Sequence, residues 1–436
     1  MCKENCFDEM GASISSYESV ENDTLELYQR AELNGILPLN FLEVANNLDQ
    51  IVHAHFDSIV VSLLCLLPPL CSGATVSQTK GGSGRSIILY MLLLAPSGVG
   101  KSSVAMVGRK YVLNWLDNEY KKREKNEDIK ILPDVFLDAA TAEGLEASFV
   151  SESSPHCLID EFGKFANAAK NDVIKASFLR MLMQIFDSGM VVSRKLKDTK
   201  RSKLFHVKGM GLFAASTIGP SNLAASDMRN MISDGLLNRF LVVFGRYKRI
   251  PLRQELSMEE TVNIENFARK FHEFSKEKAF YLGLDSFEVY KKYHAQINES
   301  YYRKYITEDD SAGMDIRLLT ISQRIAMLFQ VCMNVMNDEA NRLEISGDAM
   351  DRAVRLLDYL DRNHFNQILL YANSKNGRPT LESRVKQQLE TKGRLRVRDV
   401  AKTLNKVKSD DVRTVLSHLV KIGWADHNGA GVYWKK

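Results

Sequence analysis

The chain has 436 residues, enough for about three domains. Its 45% hydrophobic and 26% charged residues are the make-up of an ordinary globular protein and exclude disordered, collagen-like and disulfide-scaffold classes. The formal net charge of +4 conceals an asymmetry: residues 377–436 carry 14 Lys/Arg against 6 Asp/Glu, which leaves residues 1–376 at −4. The basic end is the first place to look for a polyanionic partner.

Six scattered cysteines without C-x-x-C pairs predict free thiols in a reducing, cytoplasmic setting. Residues 1–10 are polar and acidic, so no secretory leader is expected. The apolar stretches 59–70 and 86–95 are shorter than the roughly 20 residues a bilayer requires. A soluble protein with no membrane partner is the expectation.

In chain order, residues 1–37 read as a loose arm with a short helix near 24–33. Phe41, Val44, Leu48 and Ile51, then Phe56, Val60, Leu63 and Leu64, recur at helical spacing and predict two helices between 38 and 70. Residues 73–84, rich in Gly, Ser and Thr, read as a turn or hairpin. The unbroken apolar run 87–94 is the pattern of a strand covered on both faces, as in a parallel sheet. Further apolar runs at 135–137, 157–159, 211–215 and 240–244 alternate with helical stretches at 102–118, 141–152 and 174–186. That alternation predicts a doubly wound α/β core from about 70 to 247. After Pro251 the strand signal stops, and 258–372 reads as all-helical. A linker by composition at 374–379 precedes helices at 381–391, 397–404 and 409–422 and strands at 424–427 and 432–434, which together predict a winged helix. The expected layout is an N-terminal arm with helices (1–70), an α/β core (71–250), a helical domain (251–375) and a winged-helix domain (376–436).

The strand 87–94 runs directly into Ala95-Pro96-Ser97-Gly98-Val99-Gly100-Lys101-Ser102-Ser103 and a helix, the layout of a phosphate-binding P-loop with Ala95 in place of the usual first Gly. Gly98 and Gly100 let backbone N–H groups curl round a β-phosphate and the helix N-terminus adds its positive end. Lys101 reaches the β- and γ-phosphates, and Ser102 is a ligand for Mg²⁺. About sixty residues on, the apolar triplet Cys157-Leu158-Ile159 ends in Asp160-Glu161. Asp160 would hold the Mg²⁺ through water and Glu161 would polarise the attacking water, which points to hydrolysis of ATP rather than nucleotide storage. The strand 211–215 ends in Ser216-Thr217, either of which offers a hydroxyl to orient that water. Arg239 stands immediately before the strand 240–244, where it serves as a structural ion pair or, in a ring, as a finger for the neighbour's γ-phosphate.

The order of P-loop, Asp-Glu, polar strand end and Leu236-Leu237-Asn238-Arg239-Phe240 resembles that of AAA+ ATPases, and the last motif is similar to one in minichromosome-maintenance helicases. More closely, residues 38–246 resemble the ATPase domain of phage, plasmid and genomic-island replication proteins, often primase-helicases. The matching pieces are the helical lead-in, the P-loop, Asp138-Ala139-Ala140-Thr141-Ala142-Glu143-Gly144-Leu145, Ile159-Asp160-Glu161-Phe162-Gly163 and Asp234-Gly235-Leu236-Leu237-Asn238-Arg239-Phe240. Residues 1–37 leave no room for a primase domain, so priming is not expected of this chain.

The resemblance implies an ATP- and Mg²⁺-dependent DNA helicase or translocase, a hexameric ring working in replication of a mobile element, with a primase or another replication protein as a candidate partner. It also implies that the helical domain is a lid carrying a nucleotide-sensing arginine. Arg324 fits that pattern best, and Arg317 lies seven residues earlier on the same helical face. Residues 192–206 carry Arg194, Lys195, Lys197, Lys200, Arg201 and Lys203 with one Asp, where the related helicases place a hairpin that points into the ring channel. Six cations there would follow a single strand's phosphates without reading sequence. In the winged helix, Arg394, Arg396, Arg398, Arg413, Lys435 and Lys436 are candidates for DNA contact, whereas Asp410 and Asp411 would repel phosphate from the start of the last helix. The alternative is an origin-binding initiator or regulator that uses ATP as a switch without processive unwinding.

Overall fold

The computed structural model describes residues 29–127, 135–137, 141–150, 154–192, 204–219, 222–245, 251–306, 309, 311–373, 385–386, 388–390, 393–404, 409–421, 424–428 and 431–435. The chain divides into two compact units, Met1–Ile218 with Met231–Phe365, and Gly219–Asn230 with Asn366–Lys436.

The first unit opens with helices α1 (Leu39–Asp49) and α2 (Phe56–Leu70). All fifteen residues of α2 are buried, in keeping with a segment that is apolar all round. Strands β1 (Thr75–Ser77) and β2 (Arg85–Ser86) pair antiparallel, so the Gly-rich stretch closes a hairpin. Strand β3 (Ile88–Leu94) is buried at every position and leads into α3 (Lys101–Gly108), which continues through a π turn, Arg109–Leu113, into α4 (Asn114–Glu127). There follow β4 (Phe136–Leu137), α5 (Ala142–Val150), β5 (His156–Ile159), α6 (Phe162–Ala168), α7 (Val173–Ser188), β6 (Met190–Val192), β7 (Leu204–His206), β8 (Met210–Ser216), α8 (Ala225–Ser233) and β9 (Phe240–Phe244).

Five of these strands form one parallel sheet in the order β4-β5-β8-β3-β9, flanked by helices. Parallel pairing needs crossovers, and the helices between successive strands supply them. Helix α2 packs on β8 so closely that a Cβ on Gly211 would lie 1.8 Å from the Cys65 carbonyl oxygen, so only glycine fits there. On the other side, Tyr90 of β3 donates its hydroxyl to the Leu182 carbonyl at 3.0 Å and packs against Phe186 and Phe240, which fixes α7 to the sheet.

Beyond the sheet come α9 (Met258–Ser275), β10 (Ala279–Leu282), α10 (Leu284–Ile306), α11 (Ala312–Asn337), β11 (Glu344–Ile345) and α12 (Gly347–Leu360), which runs into a second π turn, Asp361–Phe365. Ser257 and Glu260 form a capping box that starts α9. The sequence expectation of an all-helical segment is corrected at two points. Strand β10 pairs in parallel with both β1 and β11, giving a small sheet in the order β11-β10-β1-β2. Its four residues are too short to register as a pattern, and their partner lies about two hundred residues away.

Among the described residues one helix, α11, is long and apolar enough to cross a membrane, and 78% of that stretch is buried inside the protein. Cys65, Cys71, Cys157 and Cys332 are buried and form no disulfide. Cys2 and Cys6 lie outside the described residues.

A buried polar network ties α2 to α12. Asp57, 1% exposed, accepts hydrogen bonds from the Tyr359 hydroxyl at 2.9 Å and from His364 Nε2 at 2.7 Å. His364 Nδ1 accepts the Phe244 backbone N–H at 3.2 Å, which leaves Nε2 to donate to Asp57. Burial alone would raise the Asp57 pKa, but the hydrogen bond from His364 holds it below the ordinary 3.8.

The second unit contains the first part of α8, α13 (Asn366–Ala372), β12 (Leu395–Arg396), α14 (Val397–Thr403), α15 (Ser409–Lys421), β13 (Ala425–His427) and β14 (Val432–Lys435). Arg229 donates to the Ala372 carbonyl at 2.7 Å, and the Tyr371 hydroxyl donates to the Leu223 carbonyl at 3.0 Å. The three strands pair antiparallel in the order β12-β14-β13. They cover a core of Val385, Leu389, Val400, Leu404, Val412, Leu416 and Leu419, whose spacing puts one apolar face on α14 and one on α15. The strand β12 was not visible in the sequence because two residues carry no period.

Candidate active site

Local chemistry forces the turn after β3. Gly98 and Gly100 both take left-handed backbone angles, with φ of +85° and +61°. Gly100 must also be glycine because a Cβ there would lie 2.0 Å from the His53 carbonyl oxygen. Ala95 is buried, and its N–H donates to the Ser216 carbonyl at 3.1 Å. Its methyl group faces Gly245, where a Cβ would come within 2.9 Å, so the small residue opposite is what admits alanine at the first loop position. Pro96, Ser97 and Gly98 are exposed, Val99 is buried, and the Ser103 hydroxyl closes on the Gly100 carbonyl at 2.6 Å.

Lys101, the first residue of α3, folds its ammonium back onto the Ala95 and Pro96 carbonyl oxygens at 3.3 and 2.8 Å. Burial pushes its pKa below the ordinary 10.5, while the charges of Asp160 and Glu161 pull it back up. Those charges act on it because the parallel register brings the strand ends together: Ser216 of β8 stands beside Leu94, and Ala214 beside Ile159 of β5. The Ser102 hydroxyl donates to Asp160 Oδ2 at 2.8 Å, so the helix after the loop and the end of a strand two places away share one hydrogen bond.

Glu161 takes the left-handed conformation, φ +55°, which is unusual for a residue with a side chain. It makes the corner between β5 and α6, and strain of this kind, of order 1–3 kcal/mol, concentrates at working sites. Lys164 holds its carboxylate at 2.7 Å, an exposed pair of small energetic weight. Of the two hydroxyls at the end of β8, Ser216 is occupied: it accepts the Gly163 N–H at 3.2 Å at the start of α6 and donates to the Thr217 carbonyl at 3.3 Å. Thr217 is left as the half-buried residue at the strand's mouth.

A hydroxyl and a carboxylate in contact form a donor set suited to a hard cation such as Mg²⁺ that keeps several waters and nucleotide oxygens. Among the described residues no group of three His, Cys, Asp or Glu gathers anywhere, so no all-protein metal cage competes with that pair.

Lys101, Ser102, Asp160, Glu161 and Thr217 therefore meet at the C-terminal ends of the parallel strands. The predicted arginines do not. Phe240 pairs with Tyr90, which sets Arg239 level with Leu89, about 20 Å along the strand from Ala95. Arg239 is 8% exposed and binds Asp187 of α7 through Nε at 3.2 Å and Nη2 at 2.5 Å, and Nη1 donates to the Gly235 carbonyl. Arg317 reaches the same carboxylate at 3.3 Å.

The expectation for Arg324 as a nucleotide sensor is corrected. It is 1% exposed, donates to the Ser86, Ile88 and Phe186 carbonyls at 3.2, 3.0 and 2.9 Å, and stacks over the Phe186 ring at 4.5 Å. Burial pushes its pKa down to about 9, and it remains charged at neutral pH. It is a fastener between α11, α7 and the start of β3, at the far end from the loop.

Strands β6 and β7 form an antiparallel two-stranded hairpin, Met190 pairing with His206 and Val192 with Leu204. Arg194, Lys195, Lys197, Lys200, Arg201 and Lys203 belong to the segment between them and lie outside the described residues. So do Asp138, Ala139, Ala140 and Lys436. In the second unit, Arg413 pairs with Asp410 at 3.0 Å, Arg398 lies 3.7 Å from Asp399, and the Asp399 carboxylate takes the Arg396 backbone N–H. Arg394 stacks over Trp434 at 5.1 Å. No protein-family model matches the chain, and no curated protein matches it either.

Proposed function

We propose that the chain is an ATP hydrolase of the AAA+ P-loop class, working as a ring-forming, cytoplasmic DNA helicase or translocase in replication of a mobile element. One observation carries the reading: the Ser102 to Asp160 hydrogen bond, which joins a Gly-x-Gly-Lys-Ser loop to an Asp-Glu strand end. ATP's phosphates would lie along residues 95–103, with Lys101 drawn from the Ala95 and Pro96 carbonyls onto the β- and γ-oxygens, because a charged acceptor outcompetes two neutral ones. Ser102 and Asp160 would hold Mg²⁺, which would supply charge neutralisation at the phosphates.

Glu161 takes the proton of the attacking water as its oxygen bonds to the γ-phosphorus. Thr217 orients that water, and the β–γ bridging oxygen leaves with ADP. Arg239 is too far from its own loop to take part and would act on a neighbour's nucleotide. The β6–β7 arms support a channel hairpin carrying the six cations of 194–203, which would follow single-stranded DNA. The antiparallel three-stranded sheet with α14 and α15 supports a winged helix in the second unit.

The test is strand separation on a forked duplex, with Lys101→Ala as the inactive control. Unwinding that depends on ATP and disappears in the variant is expected. DNA-stimulated hydrolysis without unwinding would replace the motor with an initiator that uses ATP as a switch.

A further inference from the structure

Asp187 was not singled out by the sequence, yet it is where two of the chain's arginines converge. It stands near the C-terminal end of α7, at the sheet end away from the loop, and its carboxylate accepts from Arg239 Nε and Nη2 and from Arg317 Nη2. Arg85 faces the same cluster: its Nη1 donates to Thr320, one turn along α11 from Arg317. The charges of Arg239 and Arg85 both bear on Arg317, and among the described residues Asp187 opposes them there. Two guanidiniums on one carboxylate, with the charge of a third acting on Arg317, leave the described cluster short of negative charge, and like charges repel.

The geometry suits an incoming anion better than a closed ion pair. Arg239 uses three of its five N–H groups, two on Asp187 and one on Gly235, so two remain. Its side chain is 10% exposed, whereas Arg317 and Asp187 stand 31% and 37% open, so a ligand arriving from solvent meets a fixed fork. The cluster sits about 20 Å from this chain's own phosphate loop, so the anion must come with another molecule.

We propose that Asp187 is a positioning residue, holding Arg239 and Arg317 as a preset pair of guanidiniums for the γ-phosphate of a nucleotide carried by a second copy of the chain. The inference rests on the ring reading above. An interface of this kind is head-to-tail, with the loop of one copy completed by the arginines of the next. Asp187 touches no reacting atom. It removes the conformational freedom of two long side chains before the phosphate arrives, and misplacement by about 1 Å in such a role costs on the order of 10²-fold in rate.

The experiment mixes variants. Asp187→Ala alone should lower the turnover number for ATP by about 10²-fold with KM unchanged, because its own loop is intact. Asp187→Glu should restore much of the rate. Lys101→Ala subunits, inactive alone, keep their arginines. Mixed with Asp187→Ala subunits they should regain hydrolysis at the roughly one quarter of interfaces where an intact loop meets intact arginines. Regained activity also reports that the Asp187→Ala subunit is folded, and Asp187→Asn, which keeps the shape, is run beside it.

A parallel mixture of Lys101→Ala with Arg239→Ala separates the two claims. If that mixture regains activity but neither Asp187 variant does, Asp187 has no positioning role and the inference is overturned while the ring reading stands. If the Arg239 mixture also stays inactive, arginines do not act between copies and both fall. A raised KM at unchanged turnover in Asp187→Ala would equally overturn the inference.

Discussion

At the C-terminal ends of the parallel strands Lys101 rests on two backbone carbonyls, whereas at the N-terminal ends Arg239 and Arg317 share a carboxylate and Arg324 is sealed among three carbonyls and a ring. A cation on neutral, partly exposed acceptors leaves readily for a phosphate. A guanidinium with charged or fully buried partners stays where it is placed, because abandoning them strands buried polar groups. One end of the sheet is thus built to exchange its partner and the other to keep it.

The sharpest break of this contrast is Glu161→Gln. It removes the proposed base while leaving Lys101 and Ser102 in place, so turnover should fall by about 10³-fold while ATP still binds. Equal losses in binding and turnover would mean that Glu161 holds the loop rather than the water.

At the opposite end, Arg324→Ala strands three carbonyls and should cost about 3 kcal/mol of stability, read as a lower melting temperature. Hydrolysis per folded molecule should change little. A large loss of turnover at an unchanged melting temperature would restore the sensor role that burial argues against.

Asp57→Asn tests the network that joins α2 to the end of β9. Because the folded Asp57 pKa lies below 3.8, its stabilisation is complete above the unfolded value and is lost as pH falls through the folded one. Wild type should exceed the variant by about 2 kcal/mol at pH 7, and the gap should close below about pH 4. A gap independent of pH would assign the effect to packing alone.

The smallest effect is expected in the second unit. Arg413 is exposed and pairs, among the described residues, with Asp410, so Arg413→Ala should shift stability by less than about 0.5 kcal/mol. If Arg413 contacts a DNA phosphate, the slope of log affinity against log salt falls by about one. An unchanged slope moves DNA contact to other residues.

The exchangeable end was legible in the sequence because its pieces are contiguous. A seven-residue buried strand, a Gly-x-Gly-Lys-Ser turn and an apolar triplet closing on Asp160-Glu161 each announce themselves locally. The choice between Ser216 and Thr217 was not legible, since it depends on Gly163 coming round to occupy one hydroxyl. At the retaining end Arg324 was misread for the same physical reason. Arg324 shares its helical face with Arg317, and no spacing tells which of the two meets carbonyls from β3 and α7 and which meets a carboxylate. Asp187 ends a helix like any solvated acid, and Asp57 finds His364 some three hundred residues away. Strands β10 and β12 escaped notice because four and two residues are too few to show alternation.

Equilibrium binding of ATP with Mg²⁺ to the wild-type chain and to Lys101→Ala tests the division between the two ends most directly. Saturable binding that the substitution weakens at least about tenfold, with the melting temperature of the nucleotide-free protein unchanged, is the predicted result. Equal affinity in the two proteins, or no binding to either, would contradict the assignment of the loop as the nucleotide site.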